Sequence, residues 1–98
     1  MSNKNQIEGM IDKMAKYKEF TLSDGKKYIL RKGSIVRTVD DAWHGDYKAA
    51  IVRNTLIPKE TEVVVENWFL NFYGEWITVI YNNLPYDIKP SKLEFVIS

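Results

Sequence analysis

The chain has 98 residues, no cysteine, and 14 basic against 13 acidic side chains, for a formal charge of +1. That length suits one domain, and the lack of cysteine excludes a disulfide scaffold, a thiol nucleophile and a thiolate metal site. With 45% hydrophobic and 13% aromatic residues the composition is not that of a disordered chain, and no apolar run approaches the ~18 residues of a membrane span.

The stretch 1–16 predicts a short helix. Ile7, Met10, Ile11 and Met14 recur at helical spacing on one face, with Ser2 or Asn3 available as cap. A helix this short must dock that face on the domain body, a partner or a second copy of the chain. The stretch has no apolar signal-peptide core, so the expected location is cytoplasmic and no membrane is expected as partner.

The period then changes to two. Strands are expected near 18–22 and 27–31, joined at Asp24-Gly25 by a type I′ turn. Further strands are expected at 34–39 (SIVRTV), 47–53 (YKAAIVR) and 61–67 (TEVVVEN), with a polar loop 40–46 (DDAWHGD) and a turn at Ile57-Pro58-Lys59. An aromatic segment, 68–73 (WFLNFY), breaks at Gly74, and 76–81 (WITVIY) is another strand. Asn82-Asn83 predicts a tight turn, because asparagine tolerates the left-handed conformation. A short strand bearing Pro85 follows at 84–88, then one helical turn at 89–93 and a closing strand at 94–97. Ile35, Val63, Val65, Ile77 and Val79 are the expected core. Short strands at this spacing point to a small barrel or sandwich.

From Gly33 onward the punctuation resembles an SH3-like barrel. KGSIVRTV stands as its first strand, residues 40–57 as its RT loop, PKETEVVVEN as its second strand, WFLNFYG at its n-Src loop and EWITVIY as its third strand. Asn82-Asn83 stands as the distal turn, LPYDI as the fourth strand, and KPSKLEFV resembles the P-S-x-x-V ending with its 3₁₀ turn and last strand. The chain lacks the ALYDY signature, and Leu93 stands where the peptide-binding members carry tyrosine. The expected fold is therefore mostly β: one domain over 1–98, with a helix at 1–16, an added hairpin at 17–31 and an SH3-like barrel at 33–98.

Few residues suit catalysis. His44 is the one histidine; Ser23, Ser34 and Ser91 lie in no nucleophile-elbow context, and the isolated glycines form no phosphate loop. No enzyme activity and no cofactor are expected. Asp40, Asp41, His44 and Asp46 are metal-ligating types, but they lack the regular spacing of a calcium loop and read as an acidic turn.

Charge and aromatics carry the functional reading. Residues 1–37 hold nine Lys or Arg against four acids, whereas 38–98 hold five against nine. The acidic part also carries most of the aromatics, more than a small core can absorb. Exposed aromatics beside acids suit a protein partner of basic character. The candidate binding residues are Trp43, Tyr47, Trp68, Tyr73 and Trp76, with Asp40, Asp41 and Asp46 steering association. The alternative is a nucleic-acid-binding chain using Lys13, Lys16, Lys18, Lys26, Lys27, Arg31 and Lys32 on phosphates. Self-association would use Ile7, Met10, Ile11 and Met14. The favoured expectation is a non-catalytic adaptor or inhibitor, and the Lys/Asn/Ile-rich composition suits an AT-rich bacterial or phage genome.

Overall fold

The computed structural model describes residues 16–46 and 56–98. The expected N-terminal helix with Ile7, Met10, Ile11, Met14 and Lys13, and the run 47–53 with Tyr47, lie outside the described residues. The described chain is mostly strand: β1 (Tyr17–Thr21), β2 (Lys27–Arg31), β3 (Ile35–Thr38), β4 (Ala42–Trp43), β5 (Leu56–Ile57), β6 (Glu62–Asn71), β7 (Gly74–Tyr81), β8 (Leu84–Ile88) and β9 (Leu93–Ile97). Short 3₁₀ turns occupy His44–Asp46 and Pro90–Lys92. Among the described residues, no helix is long and apolar enough to cross a membrane.

Five strands form one antiparallel sheet in the order β8-β7-β6-β3-β9, and β1-β2 and β4-β5 form separate two-stranded ladders. The expected closed barrel is corrected here: the sheets are open, with no ladder between the outer strands β8 and β9. Turns satisfy those edges instead. The Asp87 amide donates to His44 Nδ1 at 3.1 Å, and the Ser23 and Val39 amides donate to the carbonyls of Leu93 and Lys92, each at 3.0 Å. Contacts of this kind pair some of the backbone groups that closure would otherwise satisfy.

The alternation of apolar and polar residues sets which face is buried. Val63, Val65, Ile77 and Val79 are core, as expected, with Tyr86, Ile88 and Leu93. Ile35 is only half-buried; the core position passes to Val36, beside a register shift in the β3–β9 pairing. The added hairpin lays Phe20 and Leu30 onto the same core, and its loop residue Leu22 follows them. Phe20 meets the edge of Trp68 at 5.9 Å, so the hairpin covers one end of the sheet rather than extending it.

The turns differ in an instructive way. The first hairpin turns through Ser23, Asp24 and Gly25, closed by the Leu22 and Lys26 backbone groups at 3.1 Å, and only Gly25 has positive φ, 79°. The expected type I′ turn is thus replaced by a three-residue loop with glycine at its left-handed position. Asp24 stabilises it by accepting the Lys26 amide at 2.9 Å. Asn82 and Asn83, by contrast, both hold positive φ, 52° and 63°, as a type I′ turn requires.

The segment 68–73 behaves differently from the sequence expectation. It is not a loop: β6 runs unbroken through Trp68, Phe69 and Leu70 to Asn71. A bulge between Val65 and Asn67 makes this work. It shifts the alternation by one, so that Trp68 follows Val63 and Val65 onto the covered face.

Candidate partner-binding site

The tip of the β6–β7 hairpin is built by Asn71. Its side-chain oxygen accepts the Tyr73 amide at 2.8 Å and the Trp76 indole N–H at 2.9 Å. One acceptor therefore fixes both the turn and the indole. Gly74 follows at φ 113°, where a side chain would be strained, and an added Cβ would lie 3.2 Å from Lys89 Nζ. The two turn residues are thrown outward: Phe72 is 96% exposed and Tyr73 70%, with neighbouring Leu70 at 74%.

The hairpin has two unlike faces. On one, Leu70 pairs with Glu75, whose carboxylate holds Lys18 of β1 at 2.6 Å. On the other, Phe69 pairs with Trp76, the rings near-parallel at 6.4 Å. Trp76 is only 5% exposed, since Lys89 lies over its ring at 4.3 Å from the centroid. The same ammonium donates to the Tyr73 carbonyl. Lys89 is thus tethered at two points instead of ranging through solvent.

Beside this arrangement lies a groove of about 320 Å³ lined by Gly45, Asp46, Tyr73, Trp76 and Lys89. Gly45 and Asp46 both adopt left-handed backbone, φ 64° and 62°, which turns the chain sharply at the groove wall. His44 anchors that wall. Its Nδ1 accepts the Asp87 amide, so in the neutral ring the proton sits on Nε2, 3.9 Å from the Asp87 carboxylate. Asp46 pairs with Lys92 of the second 3₁₀ turn at 3.3 Å.

The structure brings together three of the sequence-predicted binding residues: Asp46, Tyr73 and Trp76. It places the others elsewhere. Trp68 packs on Phe20, on the face away from Trp76. Trp43 is half-buried in β4, opposite Leu56. Asp40 accepts the Asp41 amide at 2.8 Å, and Asp41 accepts the Lys59 amide at 3.0 Å. These two aspartates therefore shape a turn. Tyr47 lies outside the described residues.

Leu70, Phe72 and Lys89 were not singled out from sequence. The signal for Phe72 was present: Asn71 and Gly74 flank exactly two residues, the pattern of a tight turn rather than a broad loop. Lys89 carried no sequence signal, because its partners Tyr73 and Trp76 lie far away along the chain.

The charge division of the sequence resolves into pairs. Lys18 holds Glu75, and Lys32 holds Glu66 at 3.3 Å. Arg37 bridges Glu62 at 3.0 Å and Glu94 at 3.2 Å, and these carboxylates, Glu62 foremost, push its guanidinium pKa further up. Each exposed pair adds little stability, but together they consume much of the acidity beside the aromatics. The alternative nucleic-acid set is divided. Lys27 and Arg31 lie with Tyr17 on the outer face of the first hairpin, Lys18 faces inward to Glu75, and Lys26 sits in the turn.

Among the described residues, no three His, Asp or Glu side chains converge as a metal site. Ser34 is fully buried, its oxygen accepting the Arg31 amide at 2.9 Å, which makes it a turn-closing residue. Compared with protein families, curated proteins and solved structures, the chain matches none of them.

Proposed function

We propose that this chain is a non-catalytic protein-interaction module, an adaptor or inhibitor, that engages a protein partner through the β6–β7 tip and the groove beside it. The observation that carries this reading is the tip itself. Leu70, Phe72 and Tyr73 stand exposed on a turn whose own hydrogen bonds hold them there. Large apolar side chains grouped in water are disfavoured unless something covers them, and aromatic anchors beside a groove are typical of binding hot spots. The sheet order, with a 3₁₀ turn before the last strand, supports an SH3-like reading of the fold.

The test is retention of a protein partner by the immobilised chain, compared with the variant Phe72→Ser/Tyr73→Ser after nuclease treatment. Loss of the retained protein in the variant is the expected result. Retention that vanishes with nuclease would instead favour the nucleic-acid alternative through Lys13, Lys16, Lys18, Lys26, Lys27, Arg31 and Lys32.

A further inference from the structure

Resting on that reading, we infer that the groove takes a carboxylate-bearing segment of the partner, an Asp or Glu beside an apolar or aromatic residue, rather than a basic one. Local acidity in the sequence argues the opposite, so the pairing decides. Among the described residues, Asp46 is the one carboxylate in the groove's lining, and it is already engaged by Lys92. Glu75 directly precedes Trp76 on the strand but points to the other face, where Lys18 holds it. Among the described residues of the lining, the carboxylate is thus already held by Lys92 from outside it, while the Lys89 ammonium has no carboxylate partner.

Lys89 is the recognition element. Its ammonium carries three N–H groups. One goes to the Tyr73 carbonyl and one side of the ammonium lies over the Trp76 ring, which leaves donor capacity toward the groove. The two tethers hold the charge in place before a ligand arrives, so little side-chain freedom is lost on binding. They also occupy the aromatic face that an incoming lysine or arginine would need. A cationic ligand would have to displace Lys89 from Trp76 and break Asp46 from Lys92. A carboxylate displaces nothing. The exposed Phe72 and Tyr73 then cover the apolar residue next to it.

The experiment is selection of a random-peptide display library on the immobilised full chain, followed by fluorescence anisotropy of the synthesised winners. The expected winners carry Asp or Glu next to an aromatic or aliphatic residue. Lys89→Gln should weaken them roughly five-fold or more, and added salt should weaken them too. Asp46→Asn should tighten them by roughly two- to three-fold, by releasing Lys92 and removing a like charge. Winners rich in Lys or Arg, or binding weakened by Asp46→Asn, would overturn the inference and leave the binding surface intact. Acidic winners indifferent to Lys89→Gln would overturn it as well. No selected sequence, or winners unaffected by Tyr73→Ser, would remove the surface itself and the inference with it. Melting curves of each variant show whether a lost signal is lost fold.

Discussion

Replacing Phe72 by serine should leave the fold almost untouched. An aromatic side chain covers ~150–250 Å² when fully buried. Phe72 is 96% exposed, so only about 10 Å² is covered, and at about 25 cal/mol per Å² that is roughly 0.2 kcal/mol. Its edge contact with the Tyr73 ring, 5.8 Å between centroids, adds about 0.5 kcal/mol at so exposed a site. The total is about 0.7 kcal/mol, a shift in melting temperature of about 3–6 °C for a chain of this size. Trp76→Ala is the contrast. It removes a 5%-exposed indole together with its hydrogen bond to Asn71, and large-to-small changes of this kind cost about 3–5 kcal/mol. That is a large part of the ~5–15 kcal/mol of a typical domain. Thermal unfolding followed by circular dichroism separates the two. If Phe72→Ser lowered the melting temperature as far as Trp76→Ala, the tip would be packed against the chain rather than exposed, and its role as a docking surface would have no basis.

Three further outcomes test the fold. Thr38 is fully buried, donates to the Pro58 carbonyl at 2.7 Å and accepts the Thr61 amide at 3.0 Å; Thr38→Val leaves the Thr61 amide without this acceptor, while the Pro58 carbonyl keeps the Thr61 hydroxyl, and should cost about 1–3 kcal/mol in urea unfolding. Asn83→Gly should raise the unfolding free energy by a few tenths to about 1 kcal/mol because φ is 63° there, whereas Asn83→Val should lower it by about 1–2 kcal/mol. Asp24 is held below the ordinary carboxylate range, first by the Tyr28 hydroxyl and then by the Lys26 amide. A depressed carboxyl contributes stability that is fully present above its unfolded pKa of ~3.9 and is lost as pH falls through the folded value. Tyr28→Phe should therefore move the Asp24 midpoint upward in a carbon-detected NMR titration, and an unmoved midpoint would contradict the hydroxyl contact.

The strands were legible because their signals are local. Val63 to Val65 is a β-branched run, and Asn82-Asn83 and the Lys89-Pro90 step punctuate the chain where the structure turns. Two local signals misled. Asp24-Gly25 suggested a two-residue turn, but the Leu22–Lys26 closure takes in one more residue. The run from Trp68 to Tyr73 was expected as a loop because the SH3-like resemblance set it at the n-Src position. The bulge after Val65 gives each face its own neighbour, Phe20 for Trp68 and Trp76 for Phe69. The candidate site was half legible. Tyr73 and Trp76 stood out by type, but the pairing of the groove's charges depends on Lys89 and Lys92, which come from later in the chain. A count of nearby acids in sequence could not show that Asp46 and Glu75 were already paired.

The most direct measurement compares the wild-type chain with Leu70→Ser/Phe72→Ser/Tyr73→Ser as immobilised bait in nuclease-treated lysate, both first shown to share one melting profile. The expected result is a protein retained by the wild type and lost from the triple variant. The same protein retained equally by both would contradict the assignment of this tip as the partner-binding surface.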